Sequence, residues 1–140
     1  MLPQGGDLMD QAPLTIYERI GGDETITRIV ESFYPRVQKD PLLAPIFPKG
    51  DEIRPVMEKQ RRFLTQFFGG PPLYSQLYGH PRMRARHLPF PITPRRAEAW
   101  LRCMAEALDE TGIQGQVREE MWSRLYTTAA HMVNQPDPQS

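Results

Sequence analysis

Gly79-His80-Pro81-Arg82-Met83-Arg84-Ala85-Arg86-His87-Leu88-Pro89-Phe90-Pro91 holds two of the three histidines of a 140-residue chain and three arginines at alternate positions, bracketed by prolines. Pro81 suits the first position of a helix, where its missing N–H costs nothing, and Pro89 with Pro91 forbids continuation. At most about two turns fit between them, too few for a helix that is stable by itself. Packing or a ligand must hold this segment. His87 falls in its last turn with Met83 one turn earlier on the same face, and His80 reads as part of the turn before Pro81.

Outward from this stretch the chain reads as amphipathic helix. After a polar tail over residues 1–13, Thr15-Ile16-Tyr17-Glu18 has the spacing of a capping box, and Gly21-Gly22 stops the short helix it opens. Asp23 can cap a second helix with Ile26, Ile29, Val30, Phe33, Tyr34 and Val37 on one face. Pro35 interrupts that pattern and predicts a bend after Tyr34. Residues 40–48, with three prolines, hold only single turns, a corner plugged by Phe47. Pro55 is placed to open a third helix with Val56, Met57, Gln60, Phe63, Leu64 and Phe67 on its apolar face, ended by Gly69-Gly70-Pro71-Pro72. A loop with Tyr74 and Tyr78 follows. Thr93-Pro94 caps a long helix carrying Ala97, Trp100, Leu101, Met104 and Leu108, closed by Gly112. A last helix runs from about Gln116 to Val133, and residues 135–140 read as tail. With no strict alternation and no internal repeat, the class is all-α, in one domain over 14–134.

Composition narrows the function. The 17 basic and 17 acidic residues cancel, which weighs against a general polyanion binder. From Lys59 to Arg102, however, nine basic residues meet one acid, Glu98, a local anion site or a solvated basic face. The single cysteine, Cys103, excludes an intrachain disulfide and falls on a helical core position. No apolar run approaches the roughly 20 residues of a membrane span, and no basic-then-apolar leader opens the chain. A cytoplasmic protein with no membrane partner is expected.

Three polar side chains interrupt the apolar stripes, one on each of three long helices: Tyr34, Gln60 and Trp100. Tyrosine and tryptophan are routine core residues with one satisfied polar atom, yet a buried amide without partners costs about 1–3 kcal/mol. If the three faces meet, their donors converge on one small volume. His87 alone could be a hydrogen-bonded core residue. No Cys/His cluster or carboxylate triad accompanies it, which argues against a zinc or non-haem iron site built from protein ligands. A metal held by one histidine needs its other ligands from a cofactor, and haem meets that need. The arginines then gain a purpose, because haem propionates are anions that must be paired or solvated.

Phe33-Tyr34, Pro45-Ile-Phe-Pro48, Phe63-Leu-Thr-Gln-Phe-Phe-Gly-Gly-Pro-Pro-Leu-Tyr74, Gly79 to His87, Ala99-Trp100 and His131-Met-Val-Asn-Gln135 together resemble the group II truncated haemoglobins of bacteria. The resemblance covers nearly everything from Tyr17 to Gln135. It implies a shortened globin fold, two helices stacked over two, with a b-type haem between them and the helix before the proximal histidine reduced to a loop and a short turn. Carried over by motif, His87 resembles the proximal iron ligand, and Tyr34 and Trp100 the distal hydrogen-bond donors to oxygen. Gln60 falls at a distal position that often faces the ligand, and Val56 takes the place of the usual distal histidine. Phe47 would pack on the haem edge and Phe63 contact the cofactor. Lys59, Tyr74, Arg84 and Arg86 are similar to positions that contact the propionates. Two departures stand out: Pro35 beside Tyr34, and a corner from Lys49 to Arg54 slightly longer than in close relatives.

The resemblance implies reversible binding of oxygen and other diatomic gases, with release slowed by the distal donors, in a monomer or homodimer. An enzymatic alternative is peroxidase-like turnover or nitric-oxide dioxygenation, which would require an external electron donor. A helical nucleic-acid-binding module using the arginines of residues 82–96 is a third reading, disfavoured by the zero net charge.

Overall fold

A computed structural model describes residues 13–138 of the chain. Seven α-helices follow in order among them: α1 (Ile16–Ile20), α2 (Asp23–Lys39), α3 (Ile53–Phe67), α4 (Leu73–Tyr78), α5 (Met83–His87), α6 (Pro94–Glu110) and α7 (Gly115–Met132). Single 3-10 turns at Ala44–Ile46 and Gly50–Glu52 fill the corner between α2 and α3. No strand occurs among the described residues. Helix α2 packs on α6 and on α3, and α6 packs on α7, so two long-helix pairs, α2–α3 and α6–α7, form the body of the domain. The apolar faces read from the sequence supply most of the core: Ile26, Phe33, Val37, Leu64, Leu108, Met121 and Leu125 are all buried, while at the end of α3 Phe68 is buried and the expected Phe67 only half-buried.

Local chemistry sets the helix boundaries. Thr15 Oγ1 accepts from the Glu18 N–H at 3.1 Å while the Thr15 N–H donates to the Glu18 carboxylate at 2.9 Å, a complete capping box. Gly21 ends α1 at φ 109°, where a side chain would be strained and a Cβ would meet Thr25 Oγ1 at 2.6 Å. A second close approach is Gly70, where a Cβ would lie 2.9 Å from the Thr65 carbonyl and 2.8 Å from the Tyr17 ring. Only glycine lets the end of α3 tuck under α1 there. Thr93 caps α6 through Oγ1 and the Arg96 N–H, with Pro94 in the first turn.

Several expectations shift. Asp23 is the first residue of α2 and makes no cap, because Gly22 occupies the capping position. Helix α2 runs unbroken through Pro35. The carbonyl that loses its partner is that of Glu31, and both Glu31 and Pro35 are exposed, so water can satisfy it. Helix α3 begins at Ile53, two residues before Pro55. Residues 73–78, expected as loop, form α4, because the Gln66 amide accepts the Ser75 N–H at 2.9 Å and donates to its hydroxyl at 2.8 Å. Helix α5 begins after Pro81, since Arg82 takes a left-handed conformation at φ 44°. Residues 1–12 of the expected N-terminal tail, and 139–140 of the other, lie outside the described residues. Asp137 accepts the Arg95 N–H at 3.1 Å, beside the N-terminus of α6. Cys103 is buried, and burial pushes its thiol up to about 11.

Candidate functional site

A cavity of about 360 Å³ opens among α2, α3, α5, α6 and α7. It gathers ten of the eleven side chains singled out from the sequence: Tyr34 from α2; Val56, Lys59, Gln60 and Phe63 from α3; Trp100 from α6; and Phe47, Tyr74, Arg86 and His87 from the intervening segments. Arg84 stands apart. Its guanidinium reaches out to the Val133 carbonyl at 3.4 Å and does not line the cavity. Two residues along a helix is a rotation of about 200°, so Arg84 and Arg86 cannot share a face.

Tyr34, 3% exposed, is held by edge contacts to Phe33 at 4.9 Å and Phe47 at 6.1 Å between ring centroids. Burial pushes its phenol well above its ordinary pKa, so the group stays a neutral O–H donor. Trp100 packs edge-on against Phe33 at 5.4 Å, and Gln60 sits partly buried on α3. None of the three polar groups finds a hydrogen-bond partner among the described residues, and all three line the cavity. Three donors are therefore unspent in a mostly apolar space.

His87 shares that space. Its Nδ1 lies 2.7 Å from the Met83 carbonyl oxygen, one turn back. A carbonyl only accepts, so Nδ1 carries the proton and Nε2 keeps a free lone pair. The same arrangement, a backbone acceptor on one ring nitrogen fixing the tautomer and ring orientation, is how proteins present histidine to a metal. Main-chain geometry is held as well: Asn134 Nδ2 donates to the carbonyls of His87 at 3.2 Å and Phe90 at 2.9 Å. His80 acquires a part in the turn, its Nδ1 accepting the Arg82 N–H at 3.3 Å.

Cations and aromatic rings form the rim. Arg86 donates through Nε to the Pro81 carbonyl at 2.6 Å and through Nη2 to that of Tyr78 at 2.8 Å, and lies 5.5 Å from the Tyr74 ring centre. Lys59 Nζ sits 4.9 Å from the Tyr78 ring centre. Both cations keep donors free for an anion. Three other members of the basic run are consumed by the fold. Arg61 and Arg62 pair with Glu58 at 2.8 and 2.9 Å, and Arg96 donates to the carbonyls of Leu42 and Pro91.

Sequence reasoning missed Arg96, Phe90, Ile92, Thr128 and Met132 as lining residues. Phe90 carried a signal, since a large aromatic between two prolines cannot bury itself in a helix. No group of three or more His, Cys, Asp or Glu able to hold a metal occurs among the described residues. Chemically, the cavity offers one free imidazole nitrogen, apolar walls, a cationic edge and three unspent donors, the requirements of a flat apolar metallocofactor with an anionic margin.

Comparison with known proteins points the same way. The model of the bacterial-like globin family matches residues 15–134. Group 2 truncated hemoglobin YjbI of Bacillus subtilis is 53% identical over 121 residues, which span 86% of this chain and 89% of that protein. The crystal structure of the group II truncated hemoglobin from Bacillus anthracis superimposes with a TM-score of 0.88 at 52% identity, covering 91% of this chain and 97% of that one. The structure of the truncated oxygen-avid haemoglobin from Bacillus subtilis gives 0.82 at 52% identity, over 86% and 100% of the two chains.

Proposed function

This chain belongs to the bacterial-like globins and, within them, to the group II truncated haemoglobins; it is a globin haem protein, and we propose that it holds haem b on His87 and binds oxygen reversibly with slow release. The observation that carries the reading is the hydrogen bond from His87 Nδ1 to the Met83 carbonyl, which leaves Nε2 free on a side chain that lines a cavity holding three unspent donors. The residues present fit the group. Phe47, Val56 and Phe63 line the cavity and would supply apolar contact, and Lys59, Tyr74 and Arg86 would supply cations and a hydroxyl for its propionates.

Haem, held by His87, would supply an iron able to bind a diatomic ligand. The chain supplies discrimination and retention. The Tyr34 hydroxyl and the Trp100 indole N–H would donate to a ligand that gains negative character, and the Gln60 amide is placed to join them. Val56 leaves the usual histidine position apolar, so the donors come from α2 and α6. Because the phenol is buried and neutral, it donates without first losing a hydration shell. One net bond of about 1 kcal/mol from each of Tyr34 and Trp100 slows release roughly thirtyfold together. The similar Bacillus subtilis haemoglobin is oxygen-avid, which supports this direction.

Spectra of the ferric, ferrous, oxy and carbonmonoxy forms test the cofactor, and stopped-flow release rates test the donors. Tyr34→Phe and Trp100→Phe should each speed oxygen release about fivefold. Unchanged rates in both would remove the donor assignment, and protein that shows no Soret band after haemin addition would remove the reading altogether.

A further inference from the structure

Among the ring-to-ring contacts of the described residues, only that of Tyr74 with Tyr78 joins two rings able to give up an electron; every other contact includes a phenylalanine. The pair also leads from the cavity to the surface. Tyr74 is 2% exposed and lines the cavity, edge-on to Phe63 at 5.8 Å between centroids, while Tyr78 is 37% exposed. Their ring centres lie 4.9 Å apart with the planes tilted by 48°, inside the range at which aromatic rings pack directly. Four residues along α4 bring the two onto one helical face. Tyr34 and Trp100 line the cavity too, but their rings are met only by Phe33 and Phe47, so neither continues outward to a second oxidisable ring. A cation flanks each member of the pair: Arg86 lies 5.5 Å from the Tyr74 centre, and Lys59 Nζ 4.9 Å from that of Tyr78.

We propose that Tyr78 is the point at which oxidation driven by hydrogen peroxide leaves the cavity, relayed through Tyr74, and that the Tyr78 phenols of two copies of the chain then couple as dityrosine. The inference rests on the haem reading above, since the cofactor is what reduces peroxide. A neighbouring cation opposes positive charge on a ring, so a phenol beside one gives up its electron only together with its proton. Tyr34 and Tyr74 are 3% and 2% exposed and donate to no acceptor among the described residues, so neither has a base to receive that proton. Tyr78 has the solvent, and the oxidised state settles there. Hydrogen peroxide is the oxidant: its O–O bond breaks, and with two electrons and two protons it leaves as two water molecules. Two Tyr78 phenols, one on each copy, lose one electron and one proton apiece, and the two radicals join by a new carbon–carbon bond between their rings. One peroxide and two phenols thus give two waters and one linked dimer.

The test mixes the ferric, haem-loaded protein with equimolar hydrogen peroxide. Samples frozen at once should show a tyrosyl radical by electron paramagnetic resonance, and samples left to react should show dityrosine fluorescence and a covalent dimer on denaturing gels, with tryptic peptides of residues 63–82 linked at Tyr78. Tyr78→Phe should lose the dimer and keep the Soret band and the oxygen release rate. Tyr126 is the control for exposure: it is more exposed, at 57%, but meets no other ring among the described residues, and Tyr126→Phe should leave the dimer yield as it was. Tyr74→Leu, scored per haem retained, should lower the yield with Tyr78 still in place. A dimer that persists in Tyr78→Phe, or a link that maps to Tyr126, would mean that exposure alone chooses the site and overturns the relay. So does a radical confined to Tyr34 or Trp100 with no dimer, or a yield undiminished in Tyr74→Leu. All of these leave the haem reading standing, whereas unmodified protein with no Soret band after haemin addition overturns both.

Discussion

Tyr34 carries a titratable phenol where water is excluded, and this gives the folded protein a pH signature. Its folded pKa lies above the ordinary value near 10 because burial penalises the phenolate. Above that ordinary value the unfolded chain loses the proton while the folded chain keeps it, so the unfolded state binds fewer protons and stability falls as pH rises. Unfolding measured by denaturant between pH 9 and about 11.5 should show this decline, and Tyr34→Phe should make it shallower, leaving the share of buried Cys103 and Tyr74, which burial also raises. A slope unchanged by the substitution would mean the phenol is not desolvated. Tyr34, Gln60 and Trp100 were legible in the sequence because each interrupts an apolar stripe, and a polar group on a buried face demands a partner. The role of the Met83 carbonyl was not, since side-chain spacing says which residues share a face and nothing about which backbone atom a ring nitrogen meets. Nor could spacing choose between Arg84 and Arg86, whose alternate positions read alike until the rotation of α5 is known.

Helix α5 has five residues, well short of the roughly 12–15 that helices need to be even marginal in water. Its order comes from outside: Arg86 binds three preceding carbonyls, and the Asn134 amide binds the carbonyls of His87 and Phe90 and accepts the Ile92 N–H at 3.1 Å. Asn134→Ala removes the second anchor. These partners are only part-buried and can rehydrate, so the expected loss is about 1–2 kcal/mol, a melting shift of roughly 3–8 °C, with haem transferred faster to an apoglobin acceptor. A variant that melts earlier but holds haem as tightly as before would separate α5 from cofactor retention. The long helices were legible because an amphipathic pattern over four or five turns has few competing explanations. Of the short elements α1 was legible from its capping box and glycine stop, but α4 and the start of α5 were not, since Gln66 and Ser75 decide α4 through a tertiary contact, and a left-handed Arg82 delays α5 past a proline that alone would have started it.

At the scale of the molecule, two helix pairs stack around a cavity of about 360 Å³, a volume that in the haem reading the cofactor fills. A group that binds only the folded state adds stability by mass action, about 4 kcal/mol at a thousandfold excess over its dissociation constant. Removing haem should lower the melting temperature, readdition should restore it, and His87→Ala should blunt the difference. Equal melting with and without haem would place the cavity outside the folding unit. The unbroken passage of α2 through Pro35 shows how the stack tolerates a local fault when the orphaned carbonyl faces water. The wall around α5 is different in kind, because its main helical partner is α7 and most of its ties are single hydrogen bonds from Arg86 and Asn134. Amides of residues 83–88 should therefore exchange with deuterium through a local opening well below the global unfolding energy. That opening would also be the door through which haem leaves, so the residence time of the cofactor and the exchange lifetime of these few amides should rise and fall together across variants.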